Sequence, residues 1–113
     1  MAGLLEVTVE ERAGVYVIHA TGEVDISTAA ELREQLDAAP ADATRVVADL
    51  GGVSFLDSTG LGVLISTHKR LEEGAAGGLE LVISARPVLK VLEVTGLLGL
   101  FTVHETLDAA LAG

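Results

Sequence analysis

The sequence predicts an α/β fold: a mixed β-sheet with an N-terminal hairpin, then parallel strands joined by crossover helices, about four helices in all. Three observations carry this. Residues 4–21 hold two strand-like runs separated only by a short polar turn. From residue 28 onward, helix-period and strand-like segments alternate, the order that yields parallel strands with helical crossovers. The later strands Arg45–Leu50 and Leu79–Ser84 read as nearly continuous apolar runs, as strands covered on both faces do.

In order along the chain, Leu5, Val7 and Val9 alternate with Glu6, Thr8 and Glu10, which predicts a half-buried strand over Leu4–Glu10. Glu11–Gly14 forms the turn, and the β-branched and aromatic run Val15–Thr21 returns as the second strand, ended by Gly22-Glu23-Val24-Asp25. Thr28 and Glu31 have the spacing of a capping box, so hydroxyl and carboxylate are each expected to satisfy a free N–H at a helix start. Ala29, Leu32, Leu36 and Ala39 share that helix's apolar face, and Pro40 stops it. Arg45–Leu50 is the central strand.

A second helix begins near Asp57, with Leu61, Leu64, Ile65 and Leu71 on one face, Lys69 and Arg70 in its last turn, and Gly74 expected as a left-handed cap. Ala75–Gly78 turns the chain into strand Leu79–Ser84. Pro87 opens a short helix through Val88, Val91 and Leu92 that Gly96 closes. Leu100–Val103 is the last strand and Thr106–Leu111 a terminal helix. No repeat or linker divides the chain, so one domain over residues 1–113 is expected.

Composition narrows the function. With half its 113 residues apolar, the chain has enough material for a true core. The absence of cysteine excludes a disulfide framework, thiolate metal sites and a cysteine nucleophile. The longest stretches free of ionisable groups, Ser58–Thr67 and Val94–Val103, are only ten residues each, too short to span a bilayer, and the first residues lack a signal peptide's basic flank. A cytoplasmic protein is expected. A formal charge of −10 repels phosphate backbones and anionic lipid, so neither nucleic acid nor membrane is an expected partner. A basic or adaptable protein surface suits it better, and the sparse aromatics fit a monomer.

The polar cluster Ser54-Phe55-Leu56-Asp57-Ser58-Thr59-Gly60-Leu61-Gly62 lies between a buried strand and an amphipathic helix, where α/β folds place binding sites. Helix caps and close helix–sheet packing would also explain its Asp, Ser and Gly residues. Enzyme readings fail on spelling. A phosphate loop needs Gly-x-x-x-x-Gly-Lys-Ser/Thr, and the lysine is absent; a nucleophile elbow needs glycine two residues before its serine, where Leu56 stands; an aspartic-protease site needs glycine directly after Asp-Ser, where Thr59 intervenes. His19, His68 and His104 have no ligand partner at metal-binding spacing and read as satisfied or solvated imidazoles. Asp25, Asp49 and Asp57 each follow or end an apolar segment and could converge on magnesium, but strand ends and helix caps are the stronger reading. No metal and no cofactor are expected.

Gly22-Glu23-Val24-Asp25, Val46-Val47-Ala48-Asp49-Leu50, the run from Val53 through Asp57-Ser58-Thr59-Gly60-Leu61-Gly62, and Thr95-Gly96-Leu97 together resemble the STAS domain, specifically the bacterial anti-anti-sigma factors, or anti-sigma factor antagonists. The resemblance covers nearly the whole chain. It implies a regulatory switch without catalysis: a serine-kinase anti-sigma factor phosphorylates the serine after the aspartate, here Ser58, with Thr59 the lesser candidate. Unphosphorylated antagonist binds the kinase and frees the sigma factor, and a metal-dependent PP2C-type phosphatase resets the system. The partner surface expected on this basis comprises Glu23, Asp25, Thr28, Asp57, Ser58, Thr59, Gly60 and Leu61, its acids steering a basic patch of the kinase. Two other classes remain open on the residues alone. One is a non-phosphorylated structural or regulatory STAS subunit of a transporter or stress-signalling assembly. The other is a nucleotide-binding module, ranked last because the loop holds neither lysine nor arginine.

Overall fold

Residues 4–112 are described by the structure, a computed structural model. β1 (Leu5–Arg12) and β2 (Val15–Val24) form an antiparallel hairpin paired from Leu5↔Gly22 to Arg12↔Val15. The turn is tighter than the four residues expected. Ala13 and Gly14 alone make it, with φ of 49° and 86°, the paired positive values of a two-residue turn whose twist matches the strands. β3 (Arg45–Leu56), β4 (Glu80–Val82) and β5 (Thr102–His104) follow in parallel, giving the sheet order β1-β2-β3-β4-β5. The mixed sheet with a leading hairpin is therefore as the sequence predicts.

Side-chain alternation sorts the strands between two layers. Tyr16, Ile18, Ala20, Val46, Ala48, Leu50 and Leu81 point toward α1 (Ala29–Asp37), α2 (Ser58–Glu72) and α3 (Arg86–Val94), whose Leu32, Leu36, Leu64, Val88 and Leu92 complete the main core. Val17, Val47 and Val82 point the other way and are covered by Ala110 of α4 (Leu107–Ala112), with Leu107 and Leu111 beside it. Burial on both faces is why the middle of β2 and β3 reads as an unbroken apolar run.

Beyond α4 the second face is polar. Arg45 clasps Glu80 through two hydrogen bonds of 2.8 and 2.7 Å and donates a third, of 2.7 Å, to the Ala110 carbonyl. His104 Nε2 lies 2.9 Å from the same Glu80 carboxylate. The Arg45 bonds, helped by His104, hold the Glu80 carboxyl below the ordinary carboxylate range.

Four local expectations are corrected. Thr28 and Glu31 form no capping box: Thr28 makes no side-chain cap bond to α1, because its hydroxyl is used in the preceding loop. Gly74 does not take the left-handed cap; α2 ends at Glu73 with φ −85°, and the reversal occurs at Gly77 and Gly78, with φ of 72° and 151°. Gly78 must be glycine, since a Cβ there would lie 2.7 Å from the His68 ring, which accepts the Leu79 N–H at 3.0 Å. β2 and β3 run past Thr21 and Leu50 to Val24 and Leu56, whereas β4 and β5 are only three residues each. Gly96 does close α3: at φ 74° it lets Gly96 N–H reach the Glu93 carbonyl and Leu97 N–H the Leu92 carbonyl, at 3.2 and 2.9 Å.

Candidate functional site

The extension of β2 and β3 builds the site. Their pairing runs in register to His19↔Asp49, then slips at two irregularities, between His19 and Thr21 and between Gly22 and Glu23, so that β3 gains two residues before Val24↔Leu56. Gly52 permits this close passage, as a Cβ there would lie 2.7 Å from the Thr21 hydroxyl. The ladder continues into the helix start, where Asp57 N–H donates to the Val24 carbonyl at 3.1 Å. The end of β2 with its following loop, and the start of α2, are thereby fixed side by side.

Asp57 is the N-cap of α2, as expected. Its backbone is extended, at φ −97° and ψ −174°, and its Oδ1 accepts from Thr59 N–H at 2.9 Å and Gly60 N–H at 3.1 Å. Ser58, the first residue of the helix, is exposed, and its hydroxyl makes no hydrogen bond among the described residues. Thr59 is exposed beside it. Gly60 and Leu61, expected at the partner surface, are buried: Gly60 is where α2 rests on Val24 and Leu56, and Leu61 belongs to the core.

The neighbouring loop is held by Asp25 and Thr28. The Thr28 hydroxyl accepts from Asp25 N–H at 2.9 Å and donates to the Glu23 carbonyl at 2.8 Å. Asp25 Oδ1 accepts from Ser27 N–H at 2.9 Å and from the Ser27 hydroxyl at 2.6 Å. Thr28 is thus buried and shapes the surface from beneath; Glu23 is exposed and Asp25 half-buried.

Sequence reasoning missed two apolar residues here. Ile26 is 83% exposed and Phe55 47% exposed, the latter paired with Glu23 across the β2–β3 ladder. A signal existed in an isoleucine set between Asp25 and Ser27, in a loop with no apolar periodicity to satisfy.

The remaining candidates lie apart. Asp49 faces His19 on the open side of the sheet, whereas Asp25 and Asp57 are each engaged in their own loop, so the three aspartates do not form a common centre. Among the described residues no three histidine, aspartate or glutamate side chains are grouped to hold a metal ion. His68 is buried and bonded to Leu79, and His104 to Glu80.

An exposed serine thus follows an aspartate N-cap at the end of a parallel strand in a sheet of order β1-β2-β3-β4-β5. The family model of the STAS domain matches residues 6–110. The chain belongs to the STAS domain family. This STAS domain is 34% identical over 110 residues to the anti-sigma-F factor antagonist RsfB of Mycobacterium tuberculosis, spanning 96% of the chain and 88% of that protein. The crystal structure of an anti-sigma factor antagonist from Mycobacterium paratuberculosis matches it with a TM-score of 0.87 at 34% identity, covering 96% of this chain and 92% of that one. The fold is shared with the Bacillus cell-fate determinant SpoIIAA. Its unphosphorylated form gives a TM-score of 0.77 at 24% identity over 94% and 93% of the two chains, and its phosphorylated form 0.68 at 22% over 95% and 97%. The family read from the Asp-Ser-Thr-Gly-Leu-Gly motif and its surroundings is confirmed, and the relatives are regulators by name. Among the described residues no helix is long and apolar enough to cross a membrane.

Proposed function

We propose that this STAS domain is an anti-sigma factor antagonist whose binding to a serine-kinase anti-sigma factor is switched by phosphorylation of Ser58. The observation that carries the reading is the free, exposed Ser58 hydroxyl beside a carboxylate that already occupies the helix-start amides. Unphosphorylated, the face made by Glu23, Asp25, Ile26, Phe55, Ser58 and Thr59 docks the kinase and releases the sigma factor. Ile26 and Phe55 supply apolar anchors, and the acids speed encounter with a basic patch. The kinase transfers the γ-phosphoryl group of ATP to Ser58 Oγ, releasing ADP and the hydroxyl proton. A metal-dependent phosphatase of the PP2C type hydrolyses the ester and restores the serine. SpoIIAA, which shares the fold, has been solved in an unphosphorylated and a phosphorylated form.

The magnitudes favour interface disruption over refolding. A phosphoryl group at the first residue of a helix gains only about 0.3–1 kcal/mol from the dipole, and the Thr59 and Gly60 amides are already taken by Asp57. The fold therefore has little to gain or lose. The group instead adds nearly two negative charges to a face already carrying Glu23, Asp25 and Asp57. Against a partner carboxylate or nucleotide phosphate about 4 Å away, each pair of unit charges repels by about 4 kcal/mol at a near-surface dielectric. Weakening the complex a hundredfold takes only about 2.7 kcal/mol.

The test is incubation with the cognate kinase and ATP, mass-spectrometric localisation of the phosphoryl group, and titration of variants. Ser58→Ala should bind the kinase as the parent does and take up no phosphate, and Ser58→Asp should bind about a hundredfold more weakly or worse. Parent-like affinity in Ser58→Asp, or phosphate on another residue, overturns the reading.

A further inference from the structure

On the open face of the sheet, one side chain has surroundings that call for a positive charge. His19, 29% exposed, sets each ring nitrogen against a carboxylate: Nδ1 is 2.8 Å from Asp49 Oδ2, and Nε2 is 3.1 Å from Glu10 Oε1. A neutral imidazole offers one N–H and one lone pair, so it satisfies one of these contacts and turns a lone pair on the other. Only the imidazolium donates to both. Glu10 lies on β1 and Asp49 on β3, so the protonated ring ties three adjacent strands together.

Its position gives the tie a consequence. His19↔Asp49 is the last pair before the first slip in the β2–β3 ladder, and Asp49 Oδ1 accepts the N–H of Gly51, just inside the slipped segment, at 3.0 Å. Downstream of that slip lie the end of β2, with Glu23, and the end of β3, with Phe55 and Asp57. We propose that protonated His19 is a positioning residue, a proton-held clamp on the β2–β3 irregularity that sets the placement of the Glu23–Asp25 loop and the α2 start. The clamp is a property of the chain itself and stands whether or not Ser58 is phosphorylated.

The charges facing the ring support it. Asp49 of β3 and Glu10 of β1 touch the ring, and Arg12 of β1 bonds Glu10 at 2.6 Å; on the same sheet, away from the ring, Arg45 of β3 is engaged by Glu80 of β4 beside His104 of β5. Burial alone would lower the His19 pKa, but the hydrogen bonds to Asp49 and Glu10 outweigh it and the net shift is upward. The same contact, with Arg12, lowers that of Glu10. For a histidine raised in the folded state, the stabilisation is complete below its unfolded value of about 6.5 and is lost as pH rises through the higher folded value.

The experiment is an NMR pH titration of the whole chain, following the His19 ring and the backbone amides of residues 21–27 and 51–58. The expected result is a His19 midpoint above about 6.5, with the amides of Gly51, Gly52, Glu23 and Asp25 moving at that same midpoint. Glu10→Gln should lower the midpoint, and His19→Gln should abolish the amide transition. Three results would each overturn the clamp: a ring that titrates at or below the ordinary histidine value, site amides that stay still while a raised ring titrates, or an amide transition that persists in His19→Gln.

Discussion

Two glycines of α2, two residues apart, should respond differently to the same substitution. At Gly60 an added Cβ would lie 2.5 Å from Leu56 Cδ1, 2.6 Å from Val24 Cγ1 and 3.2 Å from Val24 Cβ. The Leu56 methyl ends a flexible side chain and can turn away; Val24 is β-branched and fully buried, so it cannot. Forcing a methyl group into such a contact costs about 1–3 kcal/mol, against a gain of about 1 kcal/mol from replacing glycine by alanine in a helix. Gly60→Ala should therefore be neutral to about 2 kcal/mol destabilising by this difference. At Gly62 a Cβ meets nothing within 4 Å and the position is exposed, so Gly62→Ala should retain the full gain of about 1 kcal/mol, roughly 4 °C in Tm for a domain of this size. Urea melts with unchanged m-values, alongside thermal scans, measure both. If Gly60→Ala proved as stabilising as Gly62→Ala, the close seating of α2 on Val24 and Leu56 would not be what requires glycine there.

Gly22→Ala should destabilise markedly and speed amide exchange at Glu23, because Gly22 has φ 122° and its Cβ would fall 2.1 Å from the Leu4 carbonyl that accepts the Glu23 N–H. Arg45→Met should lose about 2 kcal/mol in urea melts, as charged hydrogen bonds of this kind contribute, and should raise hydrogen exchange in α4 through loss of the Ala110 carbonyl contact. Because the Glu80 carboxyl is held low by Arg45, its contribution is present above the ordinary carboxylate value of about 4.5 and is lost as pH falls through the folded value. The acid-side slope of stability should accordingly flatten in Arg45→Met. Ser58→Ala should leave stability within about 0.5 kcal/mol, whereas Asp57→Ala should cost about 1–2 kcal/mol, both read from thermal melts.

What could be read from the sequence was what neighbouring residues decide among themselves. Asp57 as the α2 cap and Gly96 as the close of α3 depend on contacts within a few positions, and both stand in the structure, whereas the β1 alternation holds only through Thr8 and fails at Val9, which is 39% exposed. What could not be read depends on residues far apart in the chain. Thr28 had the spacing of a capping box, but its hydroxyl is drawn to the Glu23 carbonyl, which is presented only because β2 runs on beside the extended β3. Gly74 had the position of a helix cap, yet the left-handed turn is demanded at Gly78 by the His68 ring, ten residues back on α2. The same holds for the site. Ser58 and Thr59 were legible as exposed hydroxyls from their place at a helix start, but the burial of Thr28, Gly60 and Leu61 and the exposure of Ile26 and Phe55 follow from how two strand ends lie together.

At this end of the sheet the residues that hold the fold are distinct from the exposed serine. Asp57 satisfies the helix-start amides, Thr28 and Asp25 hold the adjoining loop, and Gly60 seats the helix; each has its polar capacity or its volume committed to the fold. Ser58 is committed to nothing among the described residues. A residue that also capped the helix would, once esterified, release amides and disturb the surface it sits on, so its effect on a partner would be mixed with its effect on stability. With the cap assigned to the preceding aspartate, modifying the serine alters the charge of the face and leaves its shape in place. Under the proposed function the Asp-Ser order suits the serine as a switch, since the N-cap and the hydroxyl proposed for modification are adjacent residues and not one.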